Sequence, residues 1–174
     1  MKYSIVKPQI ADVSGLIAMH KASWHETYAG IAPGATHEWI DSIWAENKQD
    51  RRKEIIMRSQ QDPKHVLYRI VKDESGDIKG FLHIERHSRH ASFDAIYLLQ
   101  EAQGSGIAQQ LMDLALAFAG DLPMELQVVD NNPRAIAFYE RNGFQKIPGT
   151  EKVHREKLPI ITMKRPANNT QGKE

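Results

Sequence analysis

The segment spanning residues 95–116 constrains the fold more than any other part of this sequence. It opens as a run of apolar residues of the kind that form strands, and it breaks at Gly104 and Gly106. Ile107 and Leu111 then begin an apolar series with three- and four-residue spacing, which is the period of a helix with one apolar face. A strand that passes through a glycine turn directly into a helix predicts an α/β fold.

The remaining hydrophobic pattern predicts a single domain over residues 1–165 and a flexible tail over residues 166–174. Strands are predicted at residues 3–6, 65–71, 78–85, 93–99, 124–129, 144–147 and 160–164. Two helices are expected after the first strand, and one on each side of the fifth; the charged run at residues 48–54 is interpreted as a continuation of the second helix. The residues expected to cap helices are Thr36, Gly120, Asn132 and Gly143. This order predicts one mixed sheet with helices on both faces.

The charges of the chain are almost balanced, with 23 lysines and arginines against 22 aspartates and glutamates in 174 residues. This balance argues against a protein built mainly to bind nucleic acid or an anionic membrane, because such binding needs a clustered basic surface. The absence of cysteine excludes disulfides, thiolate metal sites and cysteine nucleophiles. The sequence shows neither the pattern of a signal peptide nor an apolar run long enough to span a membrane, so we expect a cytoplasmic protein.

The glycine turn has the properties of a phosphate site. Glycine lets the backbone approach a ligand closely, and the first turn of the following helix offers unpaired N–H groups at the positive end of a dipole. The phosphate-binding pattern GxxxxGK[ST] is missing, and the dinucleotide-binding pattern GxGxxG fails because Gln109 takes the third glycine position after Gly104 and Gly106. From these residues alone, a tight turn that binds nothing stays an equal alternative.

Two motifs resemble those of the GCN5-related N-acetyltransferase (GNAT) superfamily. The sequence Q-G-S-G-I-A at residues 103–108 resembles its Q/R-x-x-G-x-G/A signature. The sequence N-P-R-A-I-A-F-Y-E-R-N-G-F at residues 132–144 resembles its second motif, and the two stand in the usual order and separation. The resemblance covers almost the whole chain, and it implies a mostly antiparallel central sheet with helices on both faces, acetyl-CoA as co-substrate and no metal.

The same resemblance assigns the donor side of the site. The backbone groups implied to pair with the pantetheine amides of acetyl-CoA are those of Tyr97, Leu98 and Leu99. The residues implied to hold the pyrophosphate are Gln103, Gly104, Ser105, Gly106, Ile107 and Ala108. Asn132 is implied to hydrogen-bond the donor, and Arg134 to lie near its phosphates. Tyr139 is implied to protonate the leaving thiolate, the alternative being an aromatic residue that packs on Phe144.

Acetyl transfer to nitrogen needs a neutral amine, so a base must take a proton from the acceptor ammonium near neutral pH. Asp94 is the first candidate, acting through a water, because many relatives carry an acidic residue at this strand position. His83 and Glu85 are two apart on the neighbouring strand and share one face, which makes them second candidates. A hydrogen-bonded or solvated polar residue is the alternative for each. His83, His87 and His90 straddle a strand end and a loop without cysteine, so no metal site is predicted.

The sequence W-H-E-T-Y-A-G at residues 24–30 resembles a branch of the superfamily that includes polyamine acetyltransferases. Trp24, Glu26 and Tyr28 are therefore candidates to contact a cationic amine, since aromatic faces and a carboxylate suit such a group. Trp24 and Tyr28 are four residues apart on a predicted helix, so burial in the core is the alternative for both.

The sequence therefore predicts an N-acetyltransferase that moves an acetyl group from acetyl-CoA to a primary amine by direct attack in a ternary complex. The expected acceptor is a small molecule or a peptide. Two alternatives stay open, namely a CoA-binding sensor module without catalysis and an acyltransferase that acts on a protein N-terminus. Dimers are common in the superfamily, so a homodimer is also expected.

Overall fold

The computed structural model describes residues 2–45 and 47–167. Its helices are α1 (Val13–Tyr28), α2 (His37–Trp44), α3 (Gln49–Gln61), α4 (Ile107–Ala119) and α5 (Pro133–Arg141). Its strands are β1 (Ser4–Val6), β2 (Val66–Lys72), β3 (Ile78–Arg86), β4 (Ala91–Leu98), β5 (Met124–Val129), β6 (Gln145–Lys146), β7 (Lys152–His154) and β8 (Leu158–Arg165). The predicted tail over residues 166–174 lies outside the described residues from residue 168 onward, and the predicted domain boundary stays a prediction.

These strands belong to one sheet with the order β1-β2-β3-β4-β5-β8-β6, and β7 also pairs with β8. Neighbouring strands are antiparallel except for β4 and β5. Helices α4 and α5 bury their apolar sides on one face of the sheet, while α1, α2 and α3 cover the other. The predicted mixed, mostly antiparallel α/β sheet with helices on both faces is therefore confirmed. No helix in the described part of the chain has both the length and the apolar character needed to cross a membrane.

Local residues begin two of the helices and end a third where the sequence predicts. The Thr36 Oγ1 accepts a 3.2 Å hydrogen bond from the Trp39 N–H at the start of α2. The Asn132 Oδ1 likewise accepts a 3.2 Å bond from the Ala135 N–H at the start of α5. Gly120 ends α4 in a backbone conformation with positive φ. These caps satisfy backbone groups that a helix end otherwise leaves unpaired.

The interpretation of the charged run at residues 48–54 as a continuation of the second helix is wrong. Helix α2 ends at Trp44, and α3 begins anew at Gln49. The Oδ1 of Asn47 accepts a 2.9 Å hydrogen bond from the Gln49 N–H, so a local side chain starts the new helix. The break lets α3 turn against the sheet, where Ile56 is fully buried.

The centre of the sheet opens between β4 and β5, the parallel pair. These two strands pair at three positions only, Ala91 with Met124, Ser92 with Glu125 and Phe93 with Leu126. Just after Phe93 a bulge interrupts β4, because Asp94 has no partner residue on β3. From this point the two strands separate, and a gap opens in the middle of the sheet.

The bulge also reverses which face of the sheet each β4 side chain meets. Phe93 packs in the core beneath α4 and α5, whereas Tyr97 packs on the side of α1 and α2. In a regular strand, residues four apart share a face. The extra residue at Asp94 therefore turns Tyr97 toward the opposite helix layer.

Candidate active site

The gap between β4 and β5 is a cleft of about 600 Å³ whose lining draws on both helix layers. It brings together twelve of the sequence-predicted site residues, namely Glu26, Tyr28, Asp94, Tyr97, Leu98, Gln103, Gly104, Gly106, Ala108, Asn132, Arg134 and Tyr139. The predicted residues outside its lining are Trp24, His83, Glu85, Leu99, Ser105 and Ile107. Residues far apart in the chain thus meet where the sheet is interrupted.

The turn between β4 and α4 presents free backbone N–H groups beside the cleft. Gly104 and Gly106 have φ angles of +78° and +85°, a conformation that costs other residues about 1–2 kcal/mol. In the described part of the chain, nothing accepts a hydrogen bond from the N–H groups of Gly104, Gly106 or Ala108. The Ser105 hydroxyl instead donates to the Ala102 carbonyl at 2.6 Å. Free N–H groups at the start of α4 suit a phosphate.

The edge of β4 that faces the gap lies next to this turn. Tyr97 and Leu98 line the cleft, where β5 no longer pairs with β4. The Gln103 Nε2 donates a 3.1 Å hydrogen bond to the Leu98 carbonyl, which occupies one of the backbone groups implied to pair with pantetheine. The Leu99 N–H donates to the Lys79 carbonyl at 2.9 Å, so Leu99 is engaged by β3 rather than by the cleft.

Tyr139 combines a buried ring with a hydroxyl that has no hydrogen-bond partner among the described residues. Its ring packs edge-to-face on Phe93 and Phe144, with centroid distances of 5.9 Å to each. Burial raises the pKa of Tyr139 well above the usual tyrosine value, so the phenol stays protonated at neutral pH. The packing that the sequence left as an alternative is present, and it leaves the hydroxyl free to donate a proton.

Several residues of the cleft were not singled out by the sequence. The ones with polar or aromatic side chains are Thr27, Phe93, Gln100, Gln109, Gln127, Phe138 and Arg141. Arg141 follows Arg134 by seven residues on α5, and this spacing, which places both on one side of a helix, was a usable signal. Gln127 carries no such signal, because it reaches the cleft only through the pairing of β5 with distant strands.

Asp94, His83 and Glu85 form one connected cluster on the sheet face covered by α1 and α3. The His83 Nε2 lies 3.1 Å from the Glu85 Oε1, and the His83 Nδ1 lies 3.6 Å from the Asp94 Oδ2. Of the three, Asp94 lines the cleft, and His83 is buried behind it. Burial raises the pKa of Asp94 and lowers that of His83, so both groups favour their neutral forms more than in water.

The same cluster is the one grouping of potential metal ligands among the described residues, with the ligand atoms within 4.8 Å of one another. However, the Arg58 guanidinium donates to both Glu85 oxygens, at 3.0 and 2.9 Å. A fixed cation at this carboxylate opposes a second one. His87 and His90 stack on each other at a centroid distance of 4.7 Å and add no ligand to the cluster.

The end of α1 forms another part of the cleft wall. The Glu26 Oε2 accepts a 2.8 Å hydrogen bond from the Gln100 N–H, which ties α1 to the turn after β4. The hydroxyl oxygens of Tyr28 and Tyr97 lie 3.4 Å apart, and burial raises the pKa of Tyr28 well above its usual value. Trp24 is only 7% exposed and packs on Tyr28, so the structure places it in the core behind the cleft.

Three comparisons with known proteins indicate the same family. The sequence model of the Acetyltransferase (GNAT) family matches residues 33–144, which include both motifs. Spermidine N(1)-acetyltransferase of Thermoplasma acidophilum is 29% identical over 150 residues, covering 83% of this chain and 89% of that protein. The crystal structure of PaiA N-acetyltransferase from Thermoplasma acidophilum with coenzyme A superposes with a TM-score of 0.76 at 26% identity, covering 95% of this chain and 99% of that one.

A more distant structure shares the fold. YncA of Salmonella typhimurium, a putative acetyltransferase solved with acetyl-CoA, superposes with a TM-score of 0.70 at 15% identity, covering 100% of this chain and 99% of that one. The family match and the relatives support acetyl-CoA as co-substrate and a small-molecule amine as acceptor, and they do not favour a sensor module without catalysis. The chain belongs to the GNAT acetyltransferase family and is an acetyl-CoA-dependent N-acetyltransferase.

Proposed function

We propose that this enzyme acetylates a primary amine of a small cationic acceptor, with polyamines as the preferred class. One observation carries the proposal, the division of charge in the cleft. Its four charged lining residues are Glu26, Asp94, Arg134 and Arg141. Glu26 lies on α1 and Asp94 lies at the β4 bulge, while both arginines lie on α5.

This division matches the two substrates of the reaction. Arginines near the glycine turn suit the phosphates of a CoA donor. The two carboxylates on the other side attract an ammonium group, and they attract a molecule with several ammonium groups more strongly. The similarity to a spermidine N(1)-acetyltransferase supports the same acceptor class.

The proposed chemistry uses Asp94 as the base and Tyr139 as the acid, two residues that line the same cleft. Asp94 takes a proton from the acceptor ammonium, and the freed electron pair forms a bond to the thioester carbon. As the carbon–sulfur bond breaks, the Tyr139 hydroxyl gives its proton to the thiolate. The second proton lost by the attacking nitrogen restores the Tyr139 hydroxyl, so the products are the amide and free CoA with one proton released.

A thiol-release assay with acetyl-CoA tests this proposal. The acceptors are spermidine, spermine, a monoamine of similar length, amino acids, an aminoglycoside and short peptides. We expect the highest kcat/KM with the polyamines and a steep loss of this preference as salt rises, because screening weakens the attraction. An equal or higher kcat/KM with an uncharged or zwitterionic acceptor would contradict the polyamine preference, and no thiol release with any amine would contradict the reaction itself.

A homodimer and a cytoplasmic location also stay proposals. Light scattering tests the first, with an expected mass of about twice the 19.8 kDa of one chain. A mass equal to one chain at micromolar concentration would contradict it. Fractionation of cells that produce the protein tests the second.

A further inference from the structure

Four side chains form a connected line from the cleft to the protein surface. Asp94 stands at the cleft with 38% of its side chain exposed, and His83 and Glu85 follow with 11% and 18%. Arg58 of α3 ends the line, with 45% exposed. From Asp94 to Arg58, the distances between successive side chains are 3.6 Å, 3.1 Å and 2.9 Å. The line therefore connects Asp94, the residue proposed to take a proton from the acceptor, with the solvent.

The contact with Arg58 decides what Glu85 can do. Both Glu85 oxygens accept hydrogen bonds from the guanidinium in a two-pronged arrangement. Burial opposes the ionisation of Glu85, but the hydrogen bonds from Arg58 and His83 and the positive charge of Arg58 outweigh it and lower its pKa. Glu85 is therefore an ionised carboxylate that can only accept a hydrogen bond from His83.

This acceptor in turn selects one tautomer of His83. The Nε2 lies 3.1 Å from the Glu85 Oε1, so the Nε2 must carry the hydrogen of that bond. The neutral imidazole then has its lone pair on the Nδ1, the atom that faces Asp94. The Asp94 carboxylate and the lone pair of the His83 Nδ1, 3.6 Å apart, then have no hydrogen between them. When one proton is added, these two groups can form a hydrogen bond.

Burial also brings the proton affinities of these two groups closer together. It lowers the pKa of His83, and the charges of Asp94 and Glu85 partly offset this while the charge of Arg52 adds to it. Burial also raises the pKa of Asp94, and the charge of Glu85 adds to this, whereas the nearby His83 and His87 and a hydrogen bond with Ser92 oppose it. In water the imidazole is the stronger base by more than two pKa units. With a smaller difference, a proton that reaches either atom can be shared between them.

We propose that Asp94 and His83 together hold the proton released by the acceptor ammonium, and that Arg58 is a positioning residue that acts through Glu85. This inference rests on the proposed function of Asp94 as the base. The nitrogen–hydrogen bond of the ammonium breaks toward Asp94, its electron pair stays on nitrogen, and the proton bonds to the His83 Nδ1. The imidazolium then lies between two carboxylates until the proton passes to water.

Nitrogen-15 spectra of imidazole-labelled protein test the tautomer without any substrate. In the native protein we expect hydrogen on the His83 Nε2 and a bare Nδ1 that takes up a proton as pH falls. The Asp94→Asn variant should lower the midpoint of that titration, because a carboxylate that favours the imidazolium is lost. A hydrogen on the Nδ1 in the native protein, or a midpoint that Asp94→Asn leaves unchanged, would overturn the inference.

Kinetics of Arg58 variants test the positioning role. Arg58→Met should reduce kcat about tenfold, part of the about 100- to 10,000-fold that acid–base catalysis contributes, with the acceptor KM changed less than about twofold. The acidic limb of the kcat/KM profile should move to higher pH, since a positive charge that favours ionised carboxylates is lost. Arg58→Lys should recover part of the loss, because it keeps the charge and one donor.

Arg51→Met supplies the matched control, because Arg51 is exposed on the same helix and forms no ion pair with a described residue. It should leave kcat and the pH profile unchanged. An Arg58→Met variant that behaves like Arg51→Met would sink the positioning role. If no amine is acetylated at all, the proposed function fails, while the tautomer and the His83 titration still decide the proton-sharing inference.

Discussion

The two sides of the cleft are built in different ways. The proposed donor side consists mainly of backbone, with two glycines of positive φ and free N–H groups at the start of α4. The proposed acceptor side consists of side chains from α1 and β4, backed by side chains of β3 and α3, and these meet only in the folded protein. A backbone site depends on a short run of residues, whereas a side-chain site depends on how distant elements pack. Changes on the two sides should therefore separate donor binding from proton transfer.

The sharpest separation is expected from Asp94→Asn. Loss of the base should reduce kcat about 1,000-fold with the best acceptor, within the range that acid–base catalysis contributes. CoA affinity measured by calorimetry should change less than threefold. In the native enzyme the acidic limb of kcat/KM should lie above the usual aspartate pKa, because burial raises the pKa of Asp94 and activity is lost as pH falls through it.

Asp121→Asn is the control for this change, since Asp121 is exposed in the turn after α4. It should leave kcat and CoA affinity at native values. A parallel loss of CoA affinity in Asp94→Asn would mean that the two sides are not separable.

Tyr139→Phe tests the one proposed catalytic side chain on the proposed donor side. Removal of the hydroxyl should reduce kcat about 100-fold, the lower end of the range for a general acid. The phenyl ring keeps the packing on Phe93 and Phe144, so CoA affinity and the free energy of unfolding should stay near native. Because burial raises the pKa of Tyr139, the native enzyme should keep its activity at pH values where an ordinary tyrosine begins to ionise. A Tyr139→Phe variant with native kcat would assign Tyr139 to packing alone.

Gly106→Ala tests whether the donor side depends on backbone conformation. Alanine at a φ of +85° should cost about 1 kcal/mol of unfolding free energy, measured with urea. If the N–H groups hold phosphate, CoA affinity should also fall about tenfold, which corresponds to one weakened charge-assisted hydrogen bond.

Gly76→Ala is a matched control, with a φ of +87° and, like Gly106, no atom within 4 Å of an added Cβ. It lies in the turn between β2 and β3. Equal losses of stability in the two variants, with lower CoA affinity only in Gly106→Ala, would locate the phosphate site at the turn. Equal CoA affinities would contradict that assignment.

Glu26→Gln should have the smallest effect. Glu26 is exposed, so its attraction for a second ammonium group of the acceptor amounts to about 1 kcal/mol or less, which raises the KM of spermidine about three- to fivefold. The KM of a monoamine should change less, and high salt should remove the difference. Glu74→Gln, a change at an exposed glutamate of the β2–β3 turn, should leave both KM values unchanged. Equal changes for the monoamine and spermidine would show that Glu26 does not recognise the second charge.

Local patterns in the sequence were sufficient where one short segment decides the structure. Thr36, Gly120 and Asn132 cap helices where predicted, because a cap depends on residues within one turn. The sequence did not predict the hairpin between β7 and β8, because its turn lacks the residues that usually mark one. Arg155 and Glu156 occupy its turn with φ angles of +49° and +62°, and neither is the glycine or asparagine that usually marks such a turn. The sequence also did not predict the start of α3, since the spacing of apolar residues alone does not show where one helix ends and the next begins.

The sequence by itself determined the family and the donor, because the turn and the α5 motif are each contiguous in the chain. It also predicted which residues meet the donor. Only the tertiary structure decided how the acceptor side is arranged. The β4 bulge at Asp94 turns Tyr97 to the opposite face and opens the gap beside β5. The break before α3 lets this helix pack on the sheet, where Arg58 meets Glu85 behind His83. The bulge and the contacts beyond it depend on pairing between residues that are distant in the chain, which no local pattern records.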